Sequence, residues 1–281
     1  MLTTGRPFYK MSGSGNDFLF FDARDQPPGE LEQPGVVRAV CARGTGVGAD
    51  GIVFLSSSDV ATLRMRYLNS DGSRAEMCGN AALCATRLAV ELGWGSPAGL
   101  SIESDSGVLA ARYRDGLPEV DLGAVGEVQP RVETPLAAGE RAAGFAIAGV
   151  PHLVIRCEDV GSVDVVGRGR PLRRLPQFQH GANVNFVSPD SAVGMWRMRT
   201  YERGVEAETL ACGTGAIATA ILLSAWGAAA GDVRLITRSG RTLRVRLRPA
   251  GDGVQPSLSG EGRLVFTGIL GEIPTSNQGT A

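Results

Sequence analysis

Two stretches of this 281-residue chain are variants of one pattern, and that repetition constrains the fold more than any other feature. The first runs Arg64-Met65-Arg66-Tyr67-Leu68-Asn69, then a polar turn, then Met77-Cys78-Gly79-Asn80-Ala81. The second runs Arg197-Met198-Arg199-Thr200-Tyr201-Glu202-Arg203, a polar turn, then Ala211-Cys212-Gly213-Thr214-Gly215. The Arg-Met-Arg triplets begin at 64 and 197 and the cysteines stand at 78 and 212, so the copies keep step to within one residue. A chain of this length is also long enough for two domains. In each copy a period-two segment leads through a turn to a cysteine that opens an apolar run.

Those apolar runs predict the helices. Gly79 to Leu92 is apolar almost all round, broken by Thr86, Arg87 and Glu91, with Gly93 placed to cap it; Thr214 to Trp226 carries only threonine and serine as polar residues, and Gly227 ends it. A helix apolar all round is buried all round. Strands are expected at 18–22, 51–55, 62–67, 100–103, 108–113, 119–122, 145–148, 153–156, 184–187, 196–200, 233–237, 243–248 and 263–266, the alternating ones with arginines on the wet face. A surface helix is expected at 34–41. One buried helix per half, surrounded by strands, gives the expected fold: α/β (α+β), two pseudo-symmetric domains, each a curved mixed sheet wrapped around a central helix. Gly123–Pro135 reads as a linker, Arg168–Arg174 as a solvated basic loop, and Thr275–Ala281 as a frayed tail. No charge occurs between Glu208 and Asp232, but the apolar core of that stretch is too short to span a bilayer.

Composition excludes several classes. The formal net charge of −1 offers no bulk field for nucleic acid or an anionic membrane. Lys10 is the sole lysine, so a Schiff-base cofactor would have one candidate anchor, in a setting that argues nothing for that role. The five cysteines, Cys41, Cys78, Cys84, Cys157 and Cys212, form no Cys-x-x-Cys pair, and only His152 and His180 accompany them. That argues against zinc and against a disulfide framework, and it suits a reducing cytoplasm. The first residues have no apolar run and do not read as a signal peptide.

A cysteine at the start of a helix has a chemical use. The thiolate is the reactive form, and unpaired backbone N–H groups with the helix dipole favour it. The glycine after each cysteine lets backbone approach a ligand closely, and the same N–H groups can hold a carboxylate. Two such thiols on opposite sides of one carbon can remove a proton from one face and return one to the other, which is stereo-inversion. Helix N-termini aimed at the carboxylate would stabilise the developing carbanion without a cofactor. Cys41, Cys84 and Cys157 read as small buried hydrophobes.

Taken in order, the blocks resemble the diaminopimelate epimerase family over nearly the whole chain. The blocks are Lys10–Phe18, Gly46–Gly51, Asn69–Ser73 with Met77–Asn80, Gly181–Phe186, Tyr201–Gly204 and Ala211–Gly215. The resemblance implies a cofactor-independent epimerase that interconverts LL- and meso-diaminopimelate for lysine and peptidoglycan precursor synthesis. It suggests a homodimer; no metal and no nucleic-acid or membrane partner is expected on the composition above. Its fold has the site in the cleft between two domains, here 1–125, with 266–281 returning to it, and 126–265. Carried over by position, Cys78 and Cys212 are the acid/base pair. Backbone at Gly79, Asn80, Gly213 and Thr214 would hold the reacting carboxylate, and Glu202 the reacting amino group. Arg203, Asn69 and Asn185 would bind the distal end, and Asn16 would line the pocket.

Three departures stand out. Val150 replaces an asparagine that contacts substrate in the family. The Gly204–Thr209 loop is one residue longer than the commoner form. Ala81 and Leu83 stand where glycine and arginine are usual. Val150 keeps open a related racemase acting on another amino acid, of histidine or proline type, whereas Asn16-Asp17-Phe18 and Glu202-Arg203 favour diaminopimelate. A phenazine-biosynthesis-type isomerase lacks the paired cysteines, a non-catalytic homologue would be expected to lose one, and a thiol–disulfide protein would show Cys-x-x-Cys.

Overall fold

The structure, a computed structural model, describes residues 2–75, 77–251 and 253–273. The expected frayed tail at 275–281 lies outside them. The chain forms two compact units, Met1–Val120 with Glu261–Ala281, and Asp121–Gly260. The sequence-based boundaries stood at 125/126 and 265/266.

The first unit begins with β1 (Leu2–Gly13) and β2 (Asn16–Asp22), an antiparallel pair. Helix α1 (Pro34–Cys41) then crosses to β3 (Gly51–Ser56), which lies parallel to β2. Next come β4 (Leu63–Asn69), antiparallel to β3, and the short β5 (Arg74–Ala75). Helix α2 (Gly79–Glu91) leads to β6 (Leu100–Ser104), parallel to β4, and the unit continues through β7 (Gly107–Arg114) and β8 (Leu117–Asp121).

The second unit repeats this plan. A short β9 (Val128–Gln129) pairs with β10 (Glu140–Ala148), which is antiparallel to β11 (Val150–Cys157). Helix α3 (Val165–Leu172) crosses to β12 (Asn183–Pro189), parallel to β11. Then follow β13 (Met195–Glu202), β14 (Ala207–Thr209), helix α4 (Gly213–Ala225), β15 (Asp232–Ile236), parallel to β13, β16 (Thr242–Ala250) and β17 (Gly253–Ser259). Finally β18 (Arg263–Ile273) returns to pair with β1.

Both central helices have 13 residues and close the same way. Gly93 and Gly227 adopt φ of 73° and 65°, the left-handed region open to glycine. Trp94 N–H then reaches Ala89 O at 2.8 Å, and Ala228 N–H reaches Leu223 O at 2.9 Å. Ten residues of each helix are buried, Leu83, Cys84 and Leu88 among them in α2 and Ile217, Ile221, Leu222 and Leu223 in α4. Burying each large aliphatic side chain contributes about 1.5–3 kcal/mol. Helix α2 packs on β1, β4, β6 and β18, and α4 on β10, β11, β12, β16 and β17. Gly144 of β10 permits the contact: a Cβ there would stand 2.7 Å from Leu222 Cδ2.

Three expectations differ from the fold. The Arg168–Arg174 stretch is largely helical, not a loop: Asp164 caps α3 by accepting from Gly167 N–H, and Gly169 lets the helix lie on Tyr201, where a Cβ would meet Tyr201 Cβ at 2.5 Å. Gly123–Pro135 is not a free linker. Val125 bridges Val254, β9 pairs with β10, and Trp226 Nε1 donates to Pro130 O at 2.6 Å. The solvent-side arginines of β4 are half-buried and paired, Arg64 with Glu103 and Arg66 with Glu32.

Candidate active site

Each unit presents a cysteine as the N-cap of its central helix. Cys78 has φ −138° and ψ 116°, Cys212 φ −137° and ψ 110°. This extended geometry leaves the first N–H groups of α2 and α4, those at Gly79-Asn80 and Gly213-Thr214, outside the intrahelical ladder. Cys212 Sγ accepts from Gly215 N–H at 3.4 Å and lies 3.5 Å from Thr214 Oγ1. Glycine is required at 215, because a Cβ would stand 2.4 Å from Asn185 Oδ1 and 3.2 Å from Cys212 Sγ. At the start of α2 the close approach comes from β1: a Cβ on Gly13 would meet Asn80 O at 2.6 Å. Cys212 is buried and Cys78 half-buried.

The other three cysteines are buried. Burial pushes the thiols of Cys41 and Cys157 up to about 12 and that of Cys84 well above its ordinary value. They remain protonated at neutral pH and supply no base.

In the first unit a charged network backs the start of α2. Asn80 Nδ2 donates to Asn16 Oδ1 at 2.6 Å, and Asn16 Nδ2 donates to Asp50 Oδ2 at 3.1 Å. Asp50 also accepts from Asp17 N–H and from Arg43. Arg43 and Lys10 both reach Asp17, at 2.6 and 2.5 Å. Burial alone would raise the Asp17 pKa, but hydrogen bonds from Arg43 and Lys10 outweigh it and hold the carboxyl below the usual range. The single lysine is thus a buried ion-pair partner. Asn69 ends β4 and donates through Nδ2 to Ser73 Oγ at 3.0 Å.

In the second unit the backing is neutral. Asn185 is fully buried: Thr200 Oγ1 donates to its Oδ1 at 2.9 Å, and its Nδ2 lies 3.3 Å from Leu153 O and 3.2 Å from His152 Nδ1. That amide is consumed by the protein. Asn183, passed over in the sequence, stands two residues earlier on the same face of β12 and accepts from Arg203 N–H at 2.8 Å. The alternation of Asn183 and Asn185 with Val184 and Phe186 was the signal that could have found it. His152 was also missed as a site residue. Burial drives its pKa down to about 3, with the Arg203 charge adding to the effect, so the ring is neutral. Arg203 also donates to His180 O at 3.1 Å, and half-buried Glu202 ends β13.

The departures also fall in this unit. Val150 opens β11 after Gly149, whose Cβ position lies 3.9 Å from Thr214 Cγ2, so the turn adjoins the first turn of α4. The longer loop turns at Glu206, at φ 57°, whose carboxylate sits 2.7 Å from Arg173 Nε. Among the described residues no group of three His, Cys, Asp or Glu is placed to hold a metal ion.

Comparison with known proteins adds sequence and fold relatives. The family model described as diaminopimelate epimerase matches residues 8–127 and 145–254. The chain is 47% identical over 274 residues to the diaminopimelate epimerase of Gemmatimonas aurantiaca, covering 94% of this chain and 98% of that one. It is 41% identical over 276 residues to that of Aquifex aeolicus, with 94% and 98% covered. Among solved structures it resembles a Bacillus anthracis phenazine biosynthesis protein of the PhzF family, at TM-score 0.75 and 15% identity, covering 96% and 99% of the two chains. It also resembles a probable proline racemase from Agrobacterium radiobacter, at TM-score 0.67 and 17% identity, covering 94% and 92%. At those identities the structural likeness speaks for the fold alone.

Proposed function

We propose a function from one premise: the chain belongs to the diaminopimelate epimerase family. It is an amino-acid epimerase, an isomerase that interconverts LL- and meso-diaminopimelate. The finer mechanism is our reading. Cys78 and Cys212 act as the acid/base pair: one, as thiolate, takes the α-proton, and the other, as thiol, returns a proton to the opposite face, with roles exchanged in reverse. No cofactor takes part. The observation that carries this is the repeated N-cap cysteine, in matching backbone geometry, at the start of a buried 13-residue helix in each unit.

Backbone N–H groups at Gly79-Asn80 and Gly213-Thr214 are assigned to the reacting carboxylate, where they stabilise charge as it develops. Glu202 is assigned to the reacting ammonium. Arg203, whose planar fork suits a second carboxylate, takes the distal end. Asn69 and Asn16 complete the contacts, and Asn183, which touches Arg203, is a better distal candidate than the fully engaged Asn185. A homodimer and a cytoplasmic setting belong to the same proposal. Exposed Val265, Phe266 and Ile269 on β18 favour self-association, which sedimentation would test. No described helix is long and apolar enough to cross a membrane.

Solvent exchange tests the mechanism. Reduced protein with LL-diaminopimelate in deuterated buffer, without pyridoxal phosphate, should yield meso product carrying α-deuterium. Inversion without exchange, or only on adding pyridoxal phosphate, refutes the two-thiol route. No reaction at all, with the thiols intact, moves the substrate to another amino acid.

A further inference from the structure

We propose that Asn185 and Thr200 are positioning residues that hold His152 in its Nε2-protonated tautomer, so that the imidazole offers one N–H donor beside the first turn of α4.

The Leu153 carbonyl can only accept, so the atom of Asn185 facing it, 3.3 Å away, must be Nδ2. Thr200 agrees, because its hydroxyl donates to the other end of the amide, Oδ1, at 2.9 Å. With the amide so oriented, the group 3.2 Å from His152 Nδ1 is again Nδ2, which has hydrogens and no lone pair to offer. Nδ1 must therefore accept. An uncharged imidazole that accepts at Nδ1 carries its proton on Nε2. Burial keeps the ring uncharged, and Arg203 works in the same direction.

His152 Nε2 is buried with no hydrogen-bond partner among the described residues. A buried donor without an acceptor is costly, and most such groups find one. The place of the ring indicates what would satisfy it. Asn185 Oδ1 abuts Gly215 in the first turn of α4, and a Cβ on Gly149, ahead of His152, would lie 3.9 Å from Thr214 Cγ2. That end of a helix favours anions. The acceptor we assign to Nε2–H is a carboxylate oxygen of the bound amino acid, an assignment that rests on the epimerase reading, whereas the tautomer does not.

The test is long-range 1H–15N correlation on the 15N-labelled full chain, which has only two histidines, His152 and His180. Wild type should show His152 protonated at Nε2 and bare at Nδ1, unchanged between pH 8 and pH 5. Asn185→Asp should move the proton to Nδ1 or charge the ring, and lower kcat for diaminopimelate at least tenfold. If that variant does not fold, Thr200→Val, which keeps the volume, should give a mixed tautomer signal and a smaller kcat loss of about threefold. A wild-type ring protonated at Nδ1, or charged at neutral pH, overturns the proposal. So does a wild-type tautomer and kcat retained in every variant that folds. If wild type does not act on diaminopimelate, the epimerase reading fails, and the tautomer spectrum still decides this one.

Discussion

The two units solve one structural problem with different chemistry. Each delivers a cysteine from a strand hairpin, β4–β5 or β13–β14, onto the N-terminus of a buried helix, and the N-cap dihedrals agree within a few degrees. What stands behind the helix start differs. In the first unit it is the charged chain Asn80–Asn16–Asp50–Arg43–Asp17–Lys10. In the second it is the uncharged cluster His152–Asn185–Thr200, with Gly215 pressed against it. The topology has been kept and the polar backing has not. The two thiols are therefore set in unlike electrostatic surroundings, which fits the proposed roles of one as base and the other as acid.

Removing either thiol makes the hardest test of equivalence. Cys78→Ala and Cys212→Ala should each lower kcat by a factor of 10³ or more, and Cys→Ser should retain weak activity at most, a hydroxyl being a far poorer base. Near-normal turnover in either alanine variant breaks the two-base assignment.

The charged backing should matter more to stability than an exposed ion pair. Asp17→Asn leaves Lys10 buried with one anionic partner fewer, and urea unfolding should show a loss of about 3 kcal/mol. A loss below 0.5 kcal/mol would mean the network is dispensable.

The two backings should also part company in acid. Because the folded His152 pKa is lowered to about 3, the unfolded chain binds the extra proton first. The stability it contributes is full above about pH 6.5 and drains away as pH falls toward 3, at about 1.4 kcal/mol per pH unit. Asp17, also depressed in the folded state, loses its contribution only below the ordinary carboxylate range. His152→Gln should flatten the slope between pH 6.5 and 4.5 and leave the lower limb. An unchanged slope would show that His152 is protonated in the folded protein.

Close packing should cost less. Gly215→Ala places a methyl 2.4 Å from Asn185 Oδ1, and an unfolding curve should show about 1–3 kcal/mol lost. The smallest effect belongs to Arg87→Ala on α2, whose i,i+4 partner Glu91 is exposed; about 0.3 kcal/mol is expected.

Much of this is legible in the residues alone. Local rules sufficed for α2 and α4, whose glycine stops and apolar runs leave no other reading, and for β4, β13 and β16, whose alternation is plain. They failed where a tertiary contact outvotes propensity. Helix α3 contains Gly167, Gly169 and Pro171, each poor in a helix, and it forms because Gly169 fits onto Tyr201 and Asp164 caps the start. Strands β1 and β17 were missed because Gly5 and Pro7 in one and Gly253 and Pro256 in the other are poor strand residues, which pairing of β1 with β2 and β18 and of β17 with β16 overrides.

By itself, then, the sequence determined the duplication, the two cysteines at helix starts, and the family those blocks spell. These are matters of residue type and short spacing. Only the tertiary structure decided which asparagine of β12 is spent on the protein and which touches Arg203. It alone showed that the single lysine is locked in an ion pair, and that His152 is neutral with its Nε2 unpartnered among the described residues. Those facts depend on burial and on partners from separate segments, 7 residues apart for Lys10 and Asp17, 20 for Asn183 and Arg203 and 33 for Asn185 and His152. No local pattern says which polar side chains from distant strands will meet in a low-dielectric interior.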